Sequence, residues 1–246
     1  MTKTLGIIGA GMIGSTLARL AVDAGANVVL SNSRDPETLS GLVSELGSRA
    51  RAATPAEAAQ AGDLVVATVP LVAYDKLPVA ALAGKTVIDT MNYYPDRDGH
   101  IAELDFDELT SSALVQRHLA DSHVVKACNN IFFRSLLTLA RPAGAPDRSA
   151  LPIAGDEPSA KTEAAELLDT LGYDTVDIGT LTDSWRSEPN TPVYVQPYLQ
   201  GRPPEGAGQE EVMSWFLAVE AVPVPAHRVK ELTDGAVRGP AGGTSS

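Results

Sequence analysis

The chain has 246 residues, with 19 Lys plus Arg against 31 Asp plus Glu, a formal charge of −12. Hydrophobic residues make up 44% and aromatics 5%, which supplies a real core and excludes a disordered or fibrous chain. The acidic balance argues against nucleic acid or an anionic membrane as the main partner, since both call for a basic face.

Residues 4–8 form an apolar run that ends in glycine, as a buried strand does. Residues 12–24 follow with Ile13, Leu17, Leu20 and Ala21 on one helical face. Residues 27–30 read as a second strand. Residues 35–46 read as a helix with Asp35 as N-cap and Pro36 at its first position. Thr54-Pro55-Ala56-Glu57 is a capping box. Residues 64–69, 85–89 and 123–127 are strands, the first apolar throughout and so buried on both faces. Beyond a Pro, Ala and Gly-rich linker at 141–148 come a strand at 150–154, an amphipathic helix at 158–171 and a strand at 174–178. Residues 212–219 and 227–237 read as helices, and the small, polar tail 239–246 is expected to be disordered. Strands alternating with helices predict an α/β fold, a Rossmann doubly wound parallel sheet with a smaller C-terminal α/β lobe. The expected divisions are 1–140 for the Rossmann domain, 149–198 for the lobe and 199–238 for a helical extension.

Gly9-Ala10-Gly11-Met12-Ile13-Gly14 sits between the first strand and its helix, where a dinucleotide fingerprint belongs. Gly9 permits the tight turn, Gly11 clears room for a pyrophosphate, and Gly14 lets the helix pack on the strand. Helix N–H groups and the helix dipole then meet the phosphates. An NAD-preferring site carries a carboxylate at the end of the second strand. Here that place holds Ser31, Asn32, Ser33 and Arg34: two hydroxyls, an amide and a guanidinium that suit a 2′-phosphate, so the cofactor expected is NADP(H). Asp35 is expected to be committed to its helix cap.

Ligands of open α/β sheets bind beyond the carboxyl ends of the strands. That rule selects Val69 and Pro70, the polar aromatic loop Asn92-Tyr93-Tyr94-Pro95, and Lys126 with Asn129 and Asn130. Lys126 at the mouth of a buried strand is a candidate to bind an anionic group or donate a proton. Asn129 and Asn130 suit a carbonyl or carboxamide, or cap the helix that follows. The single cysteine, Cys128, excludes an internal disulfide framework and is expected to act as a small buried hydrophobe. His100, His118, His123 and His227 lack metal-ligand spacing, and no metal is expected. No apolar stretch is long enough to span a bilayer, and the N-terminus does not read as a signal peptide, so a cytoplasmic location is expected.

The glycine turn, the Ser31-Asn32-Ser33-Arg34 loop, Thr68-Val69-Pro70, Val124-Val125-Lys126-Ala127 with Asn129, Leu151 to Asp156 and Ile178-Gly179-Thr180-Leu181 together resemble the NADP-dependent oxidoreductases of the deazaflavin (coenzyme factor 420) reductase family. The resemblance implies direct hydride transfer between the nicotinamide and the deazaflavin coenzyme as co-substrate, with the protein supplying mainly orientation. It implies that Gly9, Gly11, Met12 and Ile13 contact pyrophosphate, that Ser31, Ser33 and Arg34 hold the 2′-phosphate, and that Val69 and Pro70 line the ribose and nicotinamide. The loop 92–99 and residues 199–246 depart from the family pattern. Two alternatives stand beside this reading. One is a reductase of a small C=O, C=N or C=C substrate, with Lys126 or Tyr93 as proton donor. The other is a non-catalytic NADP-binding sensor. Trp185, Tyr194, Tyr198, Trp215 and Phe216 either form a homodimer interface through the C-terminal region or pack the lobe onto the large domain.

Overall fold

Alternate side chains of each buried strand point to opposite faces of the sheet, and helices cover both. In the computed structural model, which describes residues 3–243, eight strands form one sheet. They are β1 (Thr4–Ile8), β2 (Asn27–Ser31), β3 (Ala50–Ala52), β4 (Leu64–Ala67), β5 (Thr86–Asp89), β6 (His123–Lys126), β7 (Ala150–Gly155) and β8 (Asp174–Asp177). Their order is β3-β2-β1-β4-β5-β6-β7-β8. Every neighbouring pair is parallel except β6 and β7, which run antiparallel with Lys126 opposite Ala154.

The helices are α1 (Met12–Asp23), α2 (Ser40–Leu46), α3 (Pro55–Ala61), α4 (Val79–Leu82), α5 (Pro95–Asp98), α6 (Ala102–Asp105), α7 (Ser111–His118), α8 (Phe133–Thr138), α9 (Pro158–Leu171), α10 (Gln209–Ala218) and α11 (Ala226–Asp234). Ile7, Val66, Ile88 and Val125 face a core formed with Leu17 of α1, Leu136 of α8, Leu168 of α9 and Val229 of α11. Their strand neighbours Ile8, Val65, Val87 and Val124 face the opposite core with Ala59 of α3, Leu82 of α4 and Leu114 of α7. Each fully buried Val, Leu or Ile contributes roughly 1.5–3 kcal/mol of apolar burial.

The expected α/β architecture is present, with corrections of detail. The strands of the C-terminal lobe, β7 and β8, continue the Rossmann sheet beyond β6. The edge strand β3 was not expected, because Ala50-Arg51-Ala52 carries no strand signature; it forms by pairing with β2. The segment after Asp35 opens as a four-residue 3₁₀ turn, Pro36–Leu39, rather than as α-helix, and the Asp35 side chain caps nothing. Thr38 explains this, since its N–H and its hydroxyl both donate to the Asp35 backbone carbonyl.

The C-terminal stretch also differs from expectation. Arg238 pairs with Asp107 at 3.2 Å and donates to the Leu109 carbonyl at 3.0 Å. Asn190 donates to the Gly242 carbonyl, and the Gly243 N–H donates to the Tyr93 carbonyl at 3.2 Å. Residues 238–243 therefore lie against the rim of the sheet, over a cavity of about 30 Å³ walled by Tyr93, Ser111 and Glu188. Residues 244–246, the rest of the expected disordered tail, lie outside the described residues. Of the C-terminal aromatics, Tyr198 is fully buried and donates to the Ala150 carbonyl at 2.9 Å, while Phe216 of α10 stacks on Phe132 with centroids 5.2 Å apart.

Candidate cofactor and acceptor site

The β1–α1 turn is sterically committed to glycine. Gly9 has φ +108°, and a Cβ there would lie 2.2 Å from the Thr68 carbonyl oxygen. A Cβ on Gly14 would lie 1.9 Å from the Gly9 carbonyl oxygen, so α1 approaches the turn as closely as backbone allows. Gly11 is different: nothing lies within 4 Å of its Cβ position, and the residue faces solvent beside the exposed Met12 and half-buried Ile13. Helix α1 starts there with no side-chain cap and no acidic residue in its first turn. Its first N–H groups and positive dipole end are thus left for an anion. The cradle fits a dinucleotide pyrophosphate.

At the end of β2 the expected phosphate ligands divide. Ser33 and Arg34 are exposed, with no side-chain partner among the described residues. Ser31 is fully buried, and its hydroxyl donates to the Ile7 carbonyl at 3.1 Å, so it is withdrawn from any 2′-phosphate. Asn32 shapes the loop instead of presenting its amide: it donates to the Thr38 hydroxyl at 2.9 Å and accepts from the Arg34 N–H at 2.9 Å. Asp35 is exposed next to them.

The three candidates for chemistry are withdrawn from the mouth. Lys126 is fully buried. Its ammonium donates to the Met91 carbonyl and to Ser111 Oγ at 2.8 Å, and stands 3.6 Å from Asp89 and 3.7 Å from Glu188. Asp89 in turn accepts from Ser112 Oγ at 2.6 Å and from the Met91 N–H at 2.8 Å, and Glu188 accepts from Ser111 Oγ at 2.6 Å. This is a closed structural network that occupies the Lys126 ammonium. Asn129 donates to Asn92 Oδ1 at 3.1 Å and to the Ser187 carbonyl at 2.8 Å, and accepts from Ser187 Oγ. Asn92 returns a bond to the Asn129 carbonyl. The two amides therefore join β5 to β6 rather than face a nicotinamide. Tyr93 is buried, and its hydroxyl points into the loop that follows, donating to Asp105 at 2.7 Å and accepting from the Ile101 N–H at 3.0 Å. Burial and then the Asp105 carboxylate push its ionisation upward, which further disqualifies it as a proton donor. Asn130 caps no helix; it donates to the Val193 carbonyl and to Tyr198 Oη.

Asp98, which the sequence did not single out, organises the loops at the mouth. The buried Asp98 carboxylate accepts from the Val72 N–H at 3.3 Å and from the Tyr94 N–H at 2.9 Å, with Arg97 paired to it at 2.8 Å. It thereby ties the loop after β4 to the loop after β5. Val69 is half-buried and Pro70 exposed on that tied loop, where a cofactor ribose can ride. The Tyr94 hydroxyl contacts the Tyr194 hydroxyl, both residues half-buried. Asp89 had a readable signal: it lies beside Lys126 in register, at the same end of two buried strands. Nothing in the sequence brings Tyr194 to Tyr94, one hundred residues away.

Cys128 is buried as expected, and burial pushes its thiol up to about 12. No group of three or more His, Cys, Asp or Glu side chains able to hold a metal occurs among the described residues. No helix among them is long and apolar enough to cross a membrane.

Fold and site together define a Rossmann-type α/β sheet with a glycine turn shaped for a dinucleotide. Residues 4–93 match the model of the family described as NADP oxidoreductase, coenzyme F420-dependent, in line with the resemblance carried by the sequence motifs. A solved structure of the hypothetical protein SMa0349 from Sinorhizobium meliloti is 28% identical, with a TM-score of 0.68 over 79% of this chain and 93% of that one. A protein of Arthrobacter sp. FB24, provisionally assigned as an F420-dependent NADP-reductase, is 26% identical with a TM-score of 0.63, over 75% of this chain and 87% of that one. An imine reductase from Pseudomonas sp., 20% identical with a TM-score of 0.52, shares the fold. Among curated proteins, YjhV of Escherichia coli (strain K12) is 40% identical over 53 residues, which is 22% of this chain and 39% of YjhV's length.

Proposed function

We propose that the protein transfers a hydride between NADP(H) and a second substrate, the deazaflavin coenzyme F420. One observation carries the cofactor half: an uncapped α1 N-terminus over the open Gly11, beside a β2 end whose free polar side chains are Ser33 and Arg34. In this reading Gly9, Gly11, Met12, Ile13 and Gly14 form the pyrophosphate cradle, Ser33 and Arg34 take the 2′-phosphate, and Val69 and Pro70 line the ribose and nicotinamide. When bound, the cofactor supplies a hydride from its nicotinamide ring. The family's printed description and the Arthrobacter protein support F420 as the acceptor. The burial of Lys126 and Tyr93 speaks against the small-substrate reductase that would use them as proton donors, and favours a reaction in which the chain mainly orients two coenzymes.

The test pairs binding with turnover. Purified protein is titrated with NADPH and with NADH, then mixed with oxidised F420 while its visible absorbance is followed. NADPH-dependent bleaching supports the whole reading; NADPH binding without bleaching retains the cofactor and discards the acceptor. Arg34→Ala is expected to weaken NADPH binding about tenfold or more, the worth of a charge-assisted contact, and to leave NADH binding unchanged. Equal losses for both cofactors would remove Arg34 from the 2′-phosphate.

A further inference from the structure

We infer that the paired hydroxyls of Tyr94 and Tyr194 bind the carbonyl oxygen of the conjugated acceptor proposed above. The inference rests on the oxidoreductase reading above and gives a role to two residues beyond the family match, which ends at residue 93.

Two separate anchors converge on this pair. On one side, Asp98 holds the Tyr94 N–H and the Val72 N–H with the same carboxylate, so Tyr94 is fixed beside the Val69–Pro70 loop. The Arg97 guanidinium lies 4.8 Å from the centroid of the Tyr94 ring. On the other side, the Val195 N–H donates to the Asn130 carbonyl at 2.8 Å, and Asn130 Nδ2 donates to the Val193 carbonyl at 3.1 Å. These bonds clamp residues 193–195 onto the chain just after β6. The two tyrosines therefore meet above the ends of β5 and β6, where α/β sheets of this topology present ligands.

The backbone beside Tyr194 is strained. Val195 has φ +53° and ψ −57°, and the Gln196 N–H donates to the Tyr194 carbonyl at 2.6 Å. This is a γ-turn of positive φ, a conformation that a β-branched residue adopts only when its surroundings impose it. Such strain gathers at functional sites. Here it sets the direction of Tyr194. Burial pushes the Tyr194 hydroxyl further above its ordinary range, so at neutral pH it is a lasting hydrogen-bond donor rather than a source of protons.

The chemistry follows from that. A bound reduced nicotinamide would lose a hydride from C4, its C–H bond breaking to leave NADP⁺, and a C–H bond would form at the acceptor carbon. The π electrons of the conjugated system move onto the carbonyl oxygen, which becomes an enolate oxygen. A tyrosine hydroxyl donates a hydrogen bond to that oxygen without giving up its proton, and a proton from water neutralises the product. Donors aimed at an oxygen where charge develops are the usual device for this step.

The test uses the full chain loaded with NADP⁺ and titrated with 5-deazariboflavin, a simple conjugated imide, with probe fluorescence as readout. Tyr94→Phe and Tyr194→Phe are each expected to weaken probe binding about tenfold, with NADPH affinity and thermal midpoint held. The double variant is expected to lose no more than slightly beyond the worse single one, since the hydroxyls act as a pair. Unchanged probe affinity in both single variants overturns the assignment and leaves the oxidoreductase reading intact. A wild-type protein that binds NADPH and ignores the probe overturns the acceptor class. A protein that binds no NADPH fails at the earlier reading, and this inference falls with it.

Discussion

At Lys126 three charged groups share a volume that water does not reach. The ammonium stands 3.6 Å from Asp89 and 3.7 Å from Glu188, with side-chain exposures of 1%, 0% and 9%. Removing the cation leaves two buried carboxylates without it, a loss of about 3–5 kcal/mol for pairs of this kind. Lys126→Met is therefore expected to lower the thermal midpoint by on the order of 10 °C, with NADPH affinity preserved. Adding Glu188→Gln should restore part of the loss. A fully stable Lys126→Met variant would mean that the network does not hold its charges as drawn. Cys128 makes a second prediction at this scale. With its thiol raised to about 12 from an ordinary 9, the folded protein should resist alkylation at pH 8, where roughly one thiol in ten thousand is ionised. Unfolding in denaturant should restore rapid labelling. The sign for stability follows: the contribution is complete below pH 9 and is lost as pH rises from 9 towards 12, because the unfolded chain ionises first.

At the scale of elements, local signals were legible and long-range ones were not. The Thr54 capping box formed as its four residues require, with the Thr54 N–H donating to Glu57 at 2.9 Å and the Glu57 N–H donating back to the Thr54 hydroxyl. Gly9 and Gly14 carry the roles their spacing implies, because those roles depend on backbone within one turn. Ser31 was misread because a strand's last side chain can point into either core, and this one turns inward to Ile7. Asn92, Asn129 and Lys126 were correctly placed at strand ends, yet their partners Ser187, Ser111 and Glu188 come from distant sequence that only the fold brings near. The expected division at residue 140 falls inside one continuous sheet. Proline and glycine at 141–148 mark a loop, and the sheet continues past it through β6–β7 pairing. A fragment of residues 1–140 would expose the β6 edge and the apolar face that α9 covers. It is expected to aggregate or to lack a cooperative thermal transition, whereas residues 1–198 should retain one. A soluble, cooperatively unfolding 1–140 fragment would support residues 1–140 as a separate domain.

At the scale of the molecule, the C-terminal chain returns to the loops that follow β5, beside the proposed acceptor site. After α11, Arg238 is held by Asp107 and the Leu109 carbonyl, and the Gly242 and Gly243 backbone meets Asn190 and Tyr93. These contacts lie next to Tyr94, since a Cβ at Gly243 would stand 3.2 Å from its ring. None of them touches the glycine turn, the β2 loop or α1. The two halves of the site should therefore respond differently when the segment is removed. Truncation after Ala236 is expected to leave NADPH affinity within about twofold of the full chain, because additivity holds for groups that share no partners. The same truncation is expected to lower the thermal midpoint by a few degrees, as the Arg238 contacts and the cover over Tyr93 are lost. It should also change 5-deazariboflavin affinity several-fold. Calorimetric titration of both ligands into the truncated and full chains decides the matter. A large loss of NADPH affinity with an unaltered acceptor response would place the C-terminal segment on the cofactor side and reverse the polarity assigned to the cleft.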